Sequence, residues 1–354
     1  MYSTDLITRE ALRTVRGHDK EAPLFLYLPY QAVHAPLEAP RDEFSKIKKT
    51  GNSVRDIYRA MLSRLDGGVR KIVKELRRQG MWSNTILVFS TDNGGAVSQA
   101  GSNHPLRGTK GTLFEGGTHG VGFVAGGALS RTKTVVEDLF HITDWYPTLL
   151  TAAGGSHLLD KDLDGINQWD VLDKGAATNR TEMVYNLKST MGAIRVGPYK
   201  LMFARNFTKD NWYDIDSVSL ATRKTNNQIA LSKTRVFLKD PSYAENIFKI
   251  TMADENDEDD EDEEDQEDNE ILDAENDYQK LFDKKWPSYQ KHLFNIDEDP
   301  EERLDLQESQ PQILEELRRR VRQLYGSFVP ADFPAVDHRG SPKHFQGVWS
   351  PGWC

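Results

Sequence analysis

The feature of the sequence that most constrains its fold is an amphipathic helix pattern set between two apolar runs. From Arg55 to Gly80, apolar residues recur at spacings of three and four, which predicts a helix with one buried face. Pro23–Tyr30 precedes this pattern and Ile86–Ser90 follows it, and both runs are predicted to be buried strands. Strand, helix and strand in this order predict a βαβ crossover with parallel pairing, and hence an α/β fold.

The residue pattern changes near position 180. Before it, "GVGFVA" predicts a further strand, and "ITDWYPTLLTAAG" predicts a helix capped by Thr143 or Asp144. After it, "MGAIRVGPYKLMFA" predicts a hairpin, "HLFNI" a strand, and "PQILEELRRRVRQLYGSF" an amphipathic helix. We therefore expect an α/β domain over residues 1–180 and a smaller antiparallel α+β domain over residues 181–354.

The negative charge of the chain is concentrated in one segment. Residues 254–270 ("DENDEDDEDEEDQEDNE") are almost all acidic, and the remainder of the chain is close to neutral despite the net charge of −10. Such a run is expected to be a disordered, solvated insertion, with loose calcium binding as a lesser alternative. The chain has no basic stripe and no apolar stretch of about 18 residues, so we expect neither a nucleic-acid partner nor a membrane span.

Features that report on the cellular compartment point in two directions. The one cysteine, Cys354, excludes an intrachain disulfide, which is typical of a reducing compartment. The N-terminal residues are polar and lack the apolar core of a signal peptide. Asn179 and Asn206, however, each begin a glycosylation acceptor sequence, which matters only on a secretory route. These features alone leave the compartment open.

Asp92 and Asn93 follow the predicted strand Ile86–Ser90 and lead into two glycines. One interpretation is a simple turn, since these residue types favour turns for backbone reasons. Ligands of open α/β sheets, however, lie beyond the carboxyl ends of the strands, and side-chain oxygens suit a hard cation such as calcium. Both interpretations stay open at this point.

Two further loops carry candidate functional groups. His34 follows the predicted strand Pro23–Tyr30 in a proline-rich loop. The glycine-rich segment 105–120 contains the cations Arg107 and Lys110, which could approach an anion together with the backbone. A cation, an imidazole and an ammonium around one pocket would suit a sulfate or phosphate ester.

Four stretches, in order, resemble landmarks of the sulfatase family, and most of all its arylsulfatase B-like branch with the arylsulfatases of the I and J type. They are "PLFLYLPYQAVHAPLEAP", "VFSTDNGG", "PLRGTKGTLFEGGTHGVGFV" and "HITDWYPTLL". "LFNIDEDPEERLDL" resembles part of the small C-terminal domain of that family. The resemblance implies an alkaline-phosphatase-like large domain, N-terminally truncated here, with a mostly parallel mixed sheet between helices, plus a small antiparallel C-terminal domain.

The resemblance also implies roles for individual residues. Asp92 and Asn93 would supply part of a site for one calcium ion. His34 would contact the sulfate and assist the leaving oxygen, and Lys110 would neutralise sulfate charge. It further implies a sulfated glycan or aryl sulfate ester as substrate, and a lysosomal or secreted location.

The chain departs from the family in its nucleophile. Sulfatases use a formylglycine made from the cysteine of C-x-P-S-R, and this motif is absent, as is the first aspartate pair of the calcium site. We therefore expect the C-terminal portion of a sulfuric ester hydrolase, inactive alone and with an incomplete calcium site. The alternatives are a non-catalytic sulfatase-like protein that binds sulfated glycans or a protein partner, and a phosphoesterase of the same superfamily. The oligomeric state is left open.

Overall fold

A computed structural model describes residues 1–213, 277–330 and 338–345. The predicted acidic insertion at 254–270 lies outside the described residues. The helices of the described ranges are α1 (Ser3–Gly17), α2 (Arg41–Phe44), α3 (Ser53–Arg78), α4 (Glu115–Thr118), α5 (Trp145–Ala152), α6 (Trp169–Lys174), α7 (Asp277–Lys285) and α8 (Pro311–Leu324). The strands are β1 (Leu87–Ser90), β2 (Gly122–Ala125), β3 (Glu182–Tyr185), β4 (Met191–Val196), β5 (Tyr199–Ala204) and β6 (Gln290–Asn295).

The long predicted helix is confirmed as α3. It begins after Asn52, whose side-chain oxygen accepts hydrogen bonds from the backbone N–H groups of Val54 and Arg55, both at 3.1 Å. It ends before Gly80, which has a φ of +75° that favours glycine. Its apolar face is buried against α1 and the segment around Leu37. Packing of this one face therefore explains the spacing that the sequence shows.

The predicted strand over residues 23–30 is wrong. The segment has no regular secondary structure; Phe25 and Tyr27 are exposed, while the alternate leucines pack against α1 and α3. Within the described ranges, no strand pairs with it, so its alternation reflects packing on helices. The expected parallel βαβ pairing is therefore not formed there, and β1 instead pairs antiparallel with β2.

The β1–β2 pair positions the loop that follows β1. Its register places Ser90 opposite Gly122, and the rings of Phe89 and Phe123 stack with centroids 5.1 Å apart. Thr91 continues the pairing by donating its backbone N–H to the carbonyl oxygen of Val121 at 2.9 Å. The mixed α/β class is confirmed, and the strand predicted at "GVGFVA" is β2.

The predicted hairpin, strand and helix of the C-terminal part are all confirmed. They form an antiparallel sheet in the order β3-β4-β5-β6, with α7 and α8 packed on one face. Side chains of β5 alternate between the two faces. Leu201 and Phe203 pack with the helices, whereas Met202 packs on the other face with Leu113 and Phe114 of the glycine-rich segment. The sheet therefore supports that segment directly.

The helix predicted from "ITDWYPTLLTAAG" is α5, preceded by a 3-10 turn. His141 caps that turn, and Asp144 completes the cap by accepting the backbone N–H of His141 at 2.8 Å. The Asp144 carboxylate is buried and forms an ion pair with Arg180. The division into domains near residue 180 stays a prediction, and this ion pair lies within the first of the two predicted domains.

Candidate active site

The structure brings His34 and Lys110 into contact, although 76 positions of sequence separate them. The Lys110 Nζ atom lies 3.2 Å from Nε2 of His34, and Nδ1 of His34 lies 2.7 Å from the carbonyl oxygen of Ala35. A carbonyl oxygen only accepts hydrogen bonds, so Nδ1 carries the proton and Nε2 accepts from the ammonium. The geometry is that of a neutral imidazole beside a cation, both open to the same cavity.

Asp92 and Asn93 form a local turn at the end of β1. The Asp92 Oδ1 atom accepts the backbone N–H of Asn93 at 2.9 Å, and Nδ2 of Asn93 donates to the carbonyl oxygen of Gly94 at 2.7 Å. Asp92 is exposed. Within the described ranges, no three His, Cys, Asp or Glu side chains are grouped closely enough to hold a metal ion. The pair lies in a bend after β1, and both residues line the cavity described below.

Backbone contacts lock the Asp92 turn to the loop of Lys110. The carbonyl oxygen of Gly95 accepts the backbone N–H of Lys110 at 3.2 Å, and Asn103 brackets the same glycine with two side-chain hydrogen bonds. Gly94 lies so close to Gly116 that an added Cβ would come within 1.9 Å of the Gly116 carbonyl oxygen. Only glycine permits this approach of two backbones. The contact therefore requires glycine at position 94, and Gly116 is required by a separate contact, because its own added Cβ would lie 2.4 Å from the Arg107 carbonyl oxygen.

His34, Asp92, Asn93 and Lys110 all line one broad cavity of about 4010 Å³. Pockets fitted to a small ligand measure about 300–1,000 Å³, so this cavity is an open trough. Arg107, the other cation of the glycine-rich segment, does not line it. Its guanidinium donates instead to the carbonyl oxygen of Asp210 at 2.7 Å and lies over the ring of Phe114. Of the two cations named in the sequence, only Lys110 faces the trough.

Sequence reasoning missed a buried ion cluster behind this segment. The fully buried Lys200 donates to Glu115 at 2.8 Å and to Glu302 at 2.9 Å. Glu302 also accepts the backbone N–H of Glu115 at 2.7 Å, and His119 lies 3.1 Å from the second oxygen of Glu115. A lysine on the same face of β5 as the buried Met202 was the signal that could have revealed it.

The charges of this cluster shift one another's ionisation. Burial opposes ionisation of Glu115, but Lys200 and His119 together lower the pKa of Glu115 to about 2. Burial raises the pKa of Glu302. The hydrogen bond to Glu115 raises the pKa of His119 above the usual histidine value. The result is an ionised Glu115 held against the Lys200 ammonium, directly behind the segment that carries Lys110.

The two glycosylation acceptor sequences have exposed asparagines. Asn179 and Asn206 are both exposed, and Asn206 lies at the edge of the trough. Arg180, the middle residue of the first acceptor sequence, is buried in the ion pair with Asp144. Across residues 1–213, 277–330 and 338–345, no helix combines the length and apolar character that crossing a bilayer requires.

Comparison with known proteins identifies the family of the part of the chain that contains His34, Asp92 and Lys110. The family model described as "Sulfatase" matches residues 1–156. Residues 1–156 are a sulfatase family domain. Arylsulfatase J of Mus musculus is 33% identical over 351 residues, which is 99% of this chain and 53% of that relative. N-acetylgalactosamine-6-sulfatase of Mus musculus is 32% identical over 208 residues, covering 56% of this chain and 38% of that protein. The chain therefore spans about half or less of these curated sulfatases.

Solved structures share the fold. A structure titled "Crystal structure of Ps i-CgsB in complex with k-i-k-neocarrahexaose" matches 92% of this chain and 55% of its own chain, with a TM-score of 0.63 and 22% identity. The putative sulfatase yidJ of Bacteroides fragilis matches 92% of this chain and 59% of its own, with a TM-score of 0.58 and 13% identity. The sulfatase domain and the C-terminal sheet thus belong to one known architecture, the alkaline-phosphatase-like fold of sulfatases.

Proposed function

We propose that this chain supplies the anion-binding and leaving-group side of a sulfuric ester hydrolase. The observation that carries the proposal is the 3.2 Å contact between Nζ of Lys110 and Nε2 of His34 at the trough. An ammonium and a neutral imidazole at one point complement a sulfate ester, which presents anionic oxygens and a leaving oxygen that gains charge as its bond to sulfur breaks. The family of residues 1–156 supports the same reaction class.

Each residue has a distinct role in this proposal. Lys110 binds a sulfate oxygen and offsets its charge. His34 is held by Ala35 so that Nε2 faces the trough, where it can take a proton from solvent and pass it to the leaving oxygen while Lys110 keeps its charge. The printed sequence has no C-x-P-S-R motif, so these residues bind and protonate but do not attack sulfur. We therefore expect the chain alone to bind sulfate esters without hydrolysing them.

Asp92 and Asn93 partly fit the calcium ion that the family implies. A carboxylate and a side-chain amide oxygen are hard donors of the type calcium prefers, but calcium takes six to eight oxygens. Asp92 is exposed and has a second carboxylate oxygen available beyond its bond to Asn93. When bound, calcium would offset negative charge on the sulfate. We expect weak calcium affinity in this chain, lowered further by Asp92→Ala.

The substrate and the cellular route are also part of the proposal. We infer a sulfated glycan or an aryl sulfate ester as substrate, supported by relatives named arylsulfatase J and N-acetylgalactosamine-6-sulfatase. We infer a lysosomal or secreted location, supported by the exposed asparagines of two acceptor sequences at positions 179 and 206. Glycosidase-sensitive mobility of the protein made in a secretory host would test that route.

The test of the central proposal is anion binding followed at His34. Inorganic sulfate and p-nitrophenyl sulfate would be titrated into the chain while the His34 imidazole is followed by NMR. We expect saturable shifts of Nε2 that Lys110→Ala weakens at least tenfold, because one charge-assisted contact contributes about 1.5–3 kcal/mol. Lys174→Ala, at an exposed lysine of α6, is the matched control and should leave binding unchanged.

The same titration separates the alternatives. Tighter binding of phosphate than of sulfate would favour a phosphoesterase site. Glycan binding that is unaffected by Lys110→Ala would favour a non-catalytic surface elsewhere. No shift of His34 with any oxyanion would refute the proposed site.

A further inference from the structure

One turn of the C-terminal part holds both ends of the segment that carries Lys110. We call residues 105–119 the Lys110 segment. Near its start, Arg107 donates to the backbone carbonyl oxygen of Glu302 at 3.2 Å. Near its end, the backbone N–H of Glu115 donates to the carboxylate of Glu302 at 2.7 Å. A single residue thus contacts the segment on either side of Lys110, through its backbone and through its side chain.

The backbone of Glu302 adopts a conformation that is costly for this residue type. Its φ of +55° lies in the left-handed region, which non-glycine residues rarely adopt. Such conformations persist where surrounding contacts impose them, and they concentrate at functional sites. Here the conformation directs the carbonyl oxygen to Arg107 and the carboxylate to Glu115 at the same time. Glycine would relieve the strain but would remove the second contact.

The buried charges reinforce this contact. Lys200 lies between the carboxylates of Glu115 and Glu302, and all three side chains are almost completely buried. A buried ammonium with two carboxylate partners has little freedom, because moving either partner leaves charge unpaired. Next to this cluster, Trp212 donates its indole N–H to the carbonyl oxygen of Glu301 at 2.6 Å and lies against Arg107. The turn at 301–302 is therefore fixed from several sides.

We propose that Glu302 is a positioning residue for the anion site, which sets the location of Lys110 opposite His34 from the C-terminal sheet. That this is an anion site rests on the proposed function. That Glu302 positions the Lys110 segment does not depend on it. Loops of this length with four glycines have many accessible conformations. The contacts at Arg107 and Glu115 select one in which Nζ of Lys110 reaches Nε2 of His34.

The test uses the full chain and two readouts. Hydrogen exchange would be measured at the backbone amides of Gly108, Lys110 and Gly116, whose acceptors are Asn211, Gly95 and Arg107. Glu302→Ala leaves Lys200 paired with Glu115, so no buried cation is left alone. We expect exchange in the Lys110 segment to accelerate at least tenfold more than exchange at the amides that pair β5 with β6. A merely stabilising residue would accelerate both together.

The matched control is Glu182→Ala, which removes the partner of Arg320 at 2.6 Å elsewhere on the same sheet. It should leave the Lys110 segment unchanged. If Glu302→Ala does not fold, Glu302→Asp decides, since it keeps the charge but withdraws the carboxylate from Glu115 by one methylene. Wild-type protection of the Lys110 segment in the folded variant overturns the proposal.

The second readout is the affinity for inorganic sulfate, which should fall in Glu302→Ala towards that of Lys110→Ala. If the unchanged chain binds no sulfate, the proposed function fails while the exchange result still decides the positioning. If sulfate binds and Glu302→Ala alters exchange but not affinity, the link from Glu302 to the anion site is refuted and the proposed function stands.

Discussion

Removing the ammonium of Lys200 should be among the most destabilising single changes in the chain. Lys200 is fully buried and lies 2.8 Å from one carboxylate and 2.9 Å from another. At an effective dielectric constant of about 20, each attraction amounts to about 6 kcal/mol. Much of this is offset by the several kcal/mol that burying each ion costs. Lys200→Met keeps most of the side-chain volume but leaves two buried carboxylates without the ammonium that lies between them.

Breaking a buried ion pair by deleting one partner costs about 3–5 kcal/mol. We expect a loss of that size in the free energy of unfolding, from a total that is about 5–15 kcal/mol for ordinary domains. The assay is urea denaturation followed by tryptophan fluorescence and circular dichroism. The slope of the unfolding free energy against urea concentration is compared between variants. Arg320→Met is the control, because its ion pair with Glu182 is partly exposed and should contribute about 0.2–1 kcal/mol.

A triple variant without formal charges separates the effect of charge on stability from the effect of side-chain shape. Combining Lys200→Met with Glu115→Gln and Glu302→Gln removes all three formal charges at nearly constant volume, and most of the lost stability should return. A single Lys200→Met variant no less stable than the Arg320→Met control would refute the reasoning. So would a triple variant that is less stable than the single one.

Three further predictions concern the cap, the core and pH. Asn52→Ala should lower the free energy of unfolding by about 1 kcal/mol in urea titrations, because it removes the side-chain cap of α3; an unchanged midpoint would contradict this. Leu293→Ala, at a fully buried position, should cost about 2–5 kcal/mol, whereas Leu304→Ala, 65% exposed, should stay within about 0.5 kcal/mol. The contact with Glu115 raises the pKa of His119, so its stabilisation is complete below about pH 6.5 and is lost as pH rises through the raised value. Thermal melts should show this decline in the wild type, and a His119→Ala variant with the same decline would exclude the contact as its cause.

Local patterns in the sequence were sufficient to predict much of the fold. The spacing of apolar residues in α3, the Gly-Pro pair between β4 and β5, and the amphipathic pattern of α8 each describe one element that contacts its own neighbours. The segment 23–30 was misjudged for the opposite reason. Alternation of apolar residues indicates which side chains of a segment are buried. Strand pairing also requires a partner strand, and the sequence of the segment alone does not identify one.

The residues of the candidate site were likewise predicted only in part. His34 and Lys110 were expected at one place because each lies in a polar or glycine-rich loop of a recognisable motif. Lys200 was overlooked because a charged residue in a strand normally marks the solvent face. Its partners lie 85 and 102 positions away in the sequence, and nothing local to any of the three announces the others. The alternation of β5 could indicate a buried lysine, but its two carboxylate partners become visible only when the chain is folded.

The pairing of β5 with β6 joins chain segments on either side of residues 205–289 into one sheet. Residues 205–289 are the connection between these two strands. A proteolytic cut within the connection would give two fragments that still share the strands, with Glu302 on one and Lys110 on the other. Such fragments should elute together in buffer and separate only in denaturant, so an intact active-site arrangement would not require an intact chain.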